Sequence, residues 1–209
     1  MTARAAHWDA IFSSKNDAEL GWYENDVSQT LKFLNMIPQY EGTRIFLPGA
    51  GTSLLVDALL AKGCQLILND ISEVALQKLL ERTGKNENVT LLHHDISQPL
   101  PDSLDSAVDI WIDRAVLHFL LKKEEIDGYF SNLRAAVRRG GYVLLAEFFS
   151  SGAQKCAGLE LHRYSLEEMS LRLGDDFTLL ASEEHIYINP FGQPRPYIYG
   201  LFSKTGGHS

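Results

Sequence analysis

The stretch Arg44-Ile45-Phe46-Leu47-Pro48-Gly49-Ala50-Gly51-Thr52-Ser53 constrains this chain more than any other. Three consecutive apolar residues read as a strand covered on both faces. Gly49 and Gly51 permit a sharp turn close to a ligand, and Thr52 or Ser53 offers a hydroxyl to the free amides of a following helix. Asp70 lies 19 residues beyond Gly51, where the second strand is expected to end, and Asp95 follows the third. One glycine turn and two carboxylates at successive strand ends describe a doubly wound sheet that holds a nucleoside-bearing ligand across its carboxyl edge.

The rest of the chain alternates in the same way, with strands expected at Arg44 to Leu47, Cys64 to Asn69, Val89 to His93, Ala107 to Ile112 and Tyr142 to Phe148. Between them the first helix should stop at Gly63, Ser72 should cap a second running to Arg82, and a third should cover Glu124 to Val137. A helical segment is expected over Ala115 to Leu121, and the Gly140-Gly141 turn should precede the fifth strand. Ser165 with Glu168 forms a capping-box pattern that opens a helix to Leu173. Phe177 to Ile188 and Tyr197 to Phe202 read as a terminal hairpin joined through Asn189 to Pro196. Residues 1–40 are expected to form a helical, aromatic cap over a core at 41–204, with 205–209 frayed.

At 209 residues and 45% hydrophobic content, one domain is expected. The net charge of -8 excludes a broad nucleic-acid footprint, which needs a basic face. Two cysteines make neither a disulfide framework nor a cysteine zinc site. No basic leader and no apolar run of about 18 residues is visible, so a cytoplasmic protein without a membrane span is expected. His93, His94 and Asp95 suggest a metal, but neighbouring strand residues point to opposite faces, so no metal site is expected.

A dinucleotide fingerprint would place glycine at position 54, where the chain has Leu54. That disfavours a pyrophosphate lying against the first helix. Asp70 can accept both ribose hydroxyls, which NAD and S-adenosylmethionine both require. Asp95 separates the two better, because an acid after the third strand can accept the adenine amine while Ile96 packs on the ring. The alternative role for Asp95 is to cap the turn at Ser97.

In order and context these motifs resemble those of class I S-adenosylmethionine-dependent methyltransferases, across residues 41–203. A narrower likeness lies in three blocks. Trp8-Asp9-Ala10-Ile11-Phe12 followed by Gly21-Trp22-Tyr23-Glu24 is similar to the aromatic entry segment of the thiopurine and citrate-synthase-lysine group. Ile112-Asp113-Arg114-Ala115-Val116-Leu117-His118-Phe119 is similar to that group's segment after strand four. Lys155-Cys156-Ala157-Gly158-Leu159, continued by Arg163-Tyr164, is similar to its K-C-S-G-L stretch, with Ala157 in place of the serine.

The resemblance implies an α/β, Rossmann-like, seven-stranded sheet, mostly parallel with a C-terminal antiparallel hairpin. It implies S-adenosyl-L-methionine as cofactor, S-adenosyl-L-homocysteine as product, and methyl transfer to a nitrogen, oxygen or sulfur nucleophile of a small molecule or a protein lysine. Trp22, Gly49, Ala50, Gly51, Ser53, Asp70, Ile71, Asp95, Ile96 and Asp113 would hold the cofactor. His118, Asp113 and Arg114 would act at the reacting centre, and Trp8, Phe12, Tyr23, Glu147, Arg163 and Tyr164 would shape the acceptor pocket. Blander roles fit several of these: the aromatics could simply pack the cap, His118 could be a core histidine, and Arg114 could only pair with Asp113 or Glu147. A monomer or weak homodimer is expected. A sensor that binds the cofactor without turnover and a nicotinamide-dependent oxidoreductase are the alternatives.

Overall fold

The computed structural model describes residues 2–205; the expected frayed residues 206–209 lie outside them. Thr205 is anchored, donating from its amide and hydroxyl to the Asp176 carbonyl at 2.8 and 3.0 Å. In chain order the elements are α1 (Ala3–Ser14), α2 (Ser28–Leu34), β1 (Arg44–Leu47), α3 (Leu55–Leu60), β2 (Gln65–Asp70), α4 (Glu73–Thr83), β3 (Val89–His93), β4 (Val108–Arg114), α5 (Lys123–Ala136) and β5 (Val137–Phe148). The two-residue strands β6 (Lys155–Cys156) and β7 (Leu159–Glu160), then α6 (Leu166–Leu173), β8 (Phe177–Ile188) and β9 (Pro194–Lys204), complete the chain.

Seven strands form one sheet in the order β3-β2-β1-β4-β5-β9-β8. The first five are parallel, β9 runs antiparallel between β5 and β8, and β6 pairs with β7 separately. The order turns back between β1 and β4, the switch point at which an open α/β sheet leaves a crevice beyond its carboxyl ends. Side-chain alternation divides the interior into two layers. Ile45, Leu47, Leu66, Leu68, Ile110 and Ile112 face α2 and α3, whereas Phe46, Ile67 and Trp111 face α5 and α6. Phe46 and Trp111 are partners across β1 and β4, and their rings stack at 4.3 Å. Among the described residues no helix is long and apolar enough to cross a membrane.

Local departures from expectation have identifiable causes. Thr52 does not cap α3, because its hydroxyl donates to Asp17 at 2.8 Å and ties the turn to the N-terminal segment. Ser53 instead accepts the Leu55 amide at 3.2 Å. The segment after β4 makes a single 3-10 turn, Leu117–Phe119, and no longer helix. The Asp113 carboxylate anchors the start of this turn, accepting the amides of Val116 at 3.1 Å and Leu117 at 3.2 Å, and the backbone is extended again at Leu120. Around Gly140-Gly141, β5 already pairs at Val137 with Val108, and a register shift loops out the intervening residues.

Candidate active site

The floor of the site follows from the glycine turn. Gly49 has φ of +51°, and a Cβ there would lie 2.4 Å from Cγ2 of Val116, so a side chain would be strained and would also clash. The bare backbone is gathered by Asp70 at the end of β2. One carboxylate oxygen accepts the Gly51 amide at 2.8 Å and the other accepts the Ser72 amide at 2.8 Å. Each oxygen keeps a further lone pair for a ligand hydroxyl. Burial pushes the Asp70 carboxyl up to about 6, against the opposing pull of the Ser72 and Gly51 amides.

The adjacent wall is the loop after β3. Asp95 accepts the amide and hydroxyl of Ser97 at 3.0 and 2.7 Å, which gives it the turn-capping role while it also lines the cleft. Asn132 on α5 clamps this loop, donating to the carbonyls of Ile96 and Gln98 at 2.8 Å each. The clamp needs close approach: a Cβ on Gly128 of α5 would stand 2.1 Å from the Ser97 carbonyl oxygen. Arg4 of α1 reaches across, 2.6 Å from Glu125 and 3.7 Å from Asp95.

Aromatic side chains close the cleft from the N-terminal side. Trp8 meets Trp22 edge to face at 5.4 Å and Phe119 at 4.8 Å, with Phe12 6.2 Å from Trp22. The cleft so bounded, about 670 Å³ with the space open to solvent, is lined by Trp8, Phe12, Trp22, Gly49, Gly51, Asp70, Ile71, Asp95 and Ile96, together with Arg114. A second recess of about 590 Å³ shares Trp22, Gly49, Gly51 and Arg114 with it and adds Tyr23, Glu24, Ala50 and Ser53.

Arg114, at the end of β4, is the charged centre of that recess. Its Nη1 donates to the Trp22 carbonyl at 2.8 Å, its Nε lies 2.8 Å from Glu24, and its guanidinium sits 4.8 and 4.9 Å from the rings of Tyr187 and Tyr197. Nη2 is enclosed without a partner among the described residues. Burial raises the Glu24 carboxyl, opposed by the Arg114 charge. The recess therefore offers one cation with a spare donor beside one carboxylate, a donor set that fits the carboxylate and ammonium of an amino acid.

Behind this wall lies a separate, fully enclosed polar cluster. Asp113 accepts from Tyr129 Oη at 2.5 Å, Tyr129 accepts from Trp111 Nε1 at 2.9 Å, and Glu147 accepts the His118 amide at 3.2 Å with His118 Nδ1 2.6 Å away. Burial holds Asp113 far above the usual carboxylate range, helped by the neighbouring Glu147 charge, and pushes Glu147 up to about 8. Burial drives His118 down to about 3, so its ring is neutral.

These positions correct several expectations. His118, Asp113 and Glu147 have no exposed surface and do not line the cleft, so none is placed to meet a substrate. They shape the β4 turn from below. Tyr164 is wholly buried in the α5–α6 layer. Arg163 ties down the segment after β5, donating to the Ser150 carbonyl at 2.8 Å. Trp8 and Phe12, expected on the acceptor side, wall the cleft that carries Asp70 and Asp95. Arg114 pairs with Glu24, and neither Asp113 nor Glu147 is its partner. Arg4 and Glu24 were given no role in the sequence, and His94 was weighed only as a metal ligand; of these Glu24, inside the Gly21 to Glu24 block, carried a signal that could have found it.

A family described as a methyltransferase domain matches residues 48–143. Phosphoethanolamine N-methyltransferase 1 of Arabidopsis thaliana is 26% identical over 132 residues, covering 62% of this chain and 27% of that protein. Malonyl-[acyl-carrier protein] O-methyltransferase of Prosthecochloris aestuarii is 26% identical over 175 residues, covering 78% of this chain and 61% of that protein. The chain thus spans less than two thirds of either relative. The crystal structure of a SAM-dependent methyltransferase from Anabaena variabilis superposes with a TM-score of 0.79 at 16% identity, covering 98% of this chain and 96% of that one. None of these carries the likeness down to the thiopurine and citrate-synthase-lysine group. The matched domain is described as a methyltransferase's, and the seven-stranded order gives the chain the fold of the methyltransferase structures it resembles.

Proposed function

We propose that the protein transfers a methyl group from S-adenosylmethionine to a nitrogen, oxygen or sulfur atom of an acceptor. The observation that carries this reading is the convergence of the Gly49–Gly51 turn, Asp70, Asp95 and Trp22 on one cleft beyond the carboxyl ends of β1, β2 and β3. Asp70 would accept the ribose hydroxyls, Asp95 the adenine amine, with Ile71 and Ile96 against the ring. Arg114 and Glu24 would take the two charged ends of the methionine portion, while Ala50 and Ser53 line that recess. When bound, S-adenosylmethionine supplies a methyl on a positively charged sulfur, which the acceptor's lone pair takes in line to leave neutral S-adenosylhomocysteine.

The chain's own work is alignment and exclusion of water. Trp8, Phe12, Trp22 and Phe119 enclose the cleft, and a dry, fixed approach near about 3–3.5 Å is what such a displacement needs. His118, neutral and enclosed, would not serve as the base, so an acceptor's proton would leave to solvent. The two curated relatives are named for phosphoethanolamine and for a malonyl-acyl carrier protein, so small and protein-borne acceptors both belong to this reading. A net charge of -8 supports a monomer or weak homodimer without nucleic-acid partners. Titration calorimetry of the folded protein with S-adenosylmethionine and S-adenosylhomocysteine tests the proposal; we expect both to bind, and failure of both overturns it.

A further inference from the structure

On the outer side of Trp22 lies an open groove of about 980 Å³ that the cofactor does not require. Three chain segments meet there: α1 with the Glu19–Trp22 turn, the β6–β7 ribbon, and the loop between β8 and β9. Its charge runs against that of the whole molecule. The chain carries 27 acids against 19 basic residues, yet this groove is lined by Lys15, Lys155 and Arg195 with Glu19 as its lone acid. Among the described residues none of the three cations is paired with a carboxylate. Glu19 is engaged locally, accepting the Asn16 amide at 2.9 Å. Arg195 is steadied by Gln193 at 2.6 Å, and Phe191 beside it is 61% exposed.

Resting on the methyl-transfer reading, we propose that this groove binds the acceptor, and that the acceptor is a small organic molecule bearing a carboxylate or phosphate on an apolar body. Three unpaired cations around one concavity attract an anion, and the field is focused where the walls are apolar. Phe191 and Trp22 supply flat apolar surface for the body of the molecule. Trp22 also lines the cofactor cleft, so the groove and the cleft adjoin at that residue, and the acceptor's nucleophile would reach the methyl group past the edge of its ring. There the nucleophile forms its bond to the methyl carbon, sulfur keeps the electron pair of the broken bond, and the acceptor's proton leaves to solvent. The same three cations repel a protein lysine.

The test uses the full chain and labelled S-adenosylmethionine with matched aromatic amines, phenols and thiols, each in a carboxylate, phosphate, neutral and ammonium version. The carboxylate or phosphate versions should exceed the neutral ones by about tenfold in kcat/KM, and a Lys15→Glu/Lys155→Glu/Arg195→Glu variant should abolish that ratio. Affinity for S-adenosylhomocysteine should persist in the variant, which shows it folded and keeps the methyl-transfer reading separate. In a second arm, benzoate and phenyl phosphate are titrated into the S-adenosylhomocysteine complex and followed by amide NMR shifts. Shifts at Lys15, Lys155 and Gln193 are expected from at least one anion. Preference for neutral or cationic acceptors, label entering lysate proteins in place of small molecules, or no shift at those amides would each overturn the inference. Loss of S-adenosylhomocysteine binding by the unmodified protein overturns the methyl-transfer reading itself.

Discussion

Asp70 does two jobs with one carboxylate. It fastens the Gly51 and Ser72 amides, and it presents its remaining lone pairs to the cleft. Asp70→Asn keeps a side chain of the same shape and removes the charge, so two charge-assisted bonds to ribose would be weakened. Loss of roughly 2–4 kcal/mol of cofactor affinity is expected, read by calorimetry. Burial sets the pH dependence of the same contact. With the free carboxyl near 6, the free protein holds a proton below that pH which ribose hydroxyl donors must displace. Affinity for S-adenosylhomocysteine should therefore fall as pH drops from 7 to 5, by up to about tenfold per unit. Asp70→Asn should remove this dependence; a flat profile in the unmodified protein would show the carboxylate to be elsewhere engaged. Gly49 is constrained from the other direction. Gly49→Ala adds left-handed strain and a contact with Val116, so a cost of about 1–3 kcal/mol in urea unfolding is expected.

At the level of elements, what could be read in the sequence was local and what escaped it was not. β1, β3 and β8 have the bounds that their apolar runs and flanking turns predict, and Ser72 and Ser165 cap α4 and α6 as their spacing implies. The 3-10 turn after β4 escaped because the chain is extended again at Leu120, so the turn whose first amides Asp113 accepts does not lengthen into the helix that periodicity suggests. The same holds for the site. Carboxylates at strand ends announce themselves by position, but whether His118 faces the cleft or the core depends on how that turn rolls. The support of the β3 loop by α5 was equally hidden, since a glycine inside a helix reads as a weakness. Here Gly128 admits the Ser97 carbonyl, and Asn132 fixes the loop one turn later. Gly128→Ala would improve helix propensity by about 0.8–1 kcal/mol in isolation. In this fold it should instead lower the thermal midpoint and weaken S-adenosylhomocysteine binding through Asp95, because the backbone oxygen 2.1 Å from the new carbon cannot swing aside. An unchanged midpoint with unchanged affinity would show that the loop is not seated on α5.

For the molecule as a whole, the enclosed cluster under the site makes stability depend on pH in a direction that separates its members. His118 is depressed to about 3, so the unfolded chain takes up its proton below about 6.5 while the folded one does not, and stability is lost as pH falls from there. Glu147 works oppositely. Raised to about 8 from 4.5, it keeps a proton in the folded state that the unfolded chain releases, so its contribution is full below 4.5 and is lost as pH climbs towards 8. Asp113, raised for the same reason, acts in the same sense. Between 4.5 and 6.5 the histidine and Glu147 slopes oppose each other. Above 6.5 the histidine no longer differs between the two states, and the carboxyl slope stands alone. Urea unfolding should therefore show stability falling from pH 6.5 to 8, by about 1.4 kcal/mol per unit for each proton held only in the folded state. Glu147→Gln, which cannot ionise and still offers a carbonyl oxygen to the His118 amide, should flatten that fall by one proton's worth. If the slope between pH 6.5 and 8 is unchanged in the variant, Glu147 is ionised in the native protein, and the cluster beneath Arg114 carries a buried negative charge in place of the Glu147 proton.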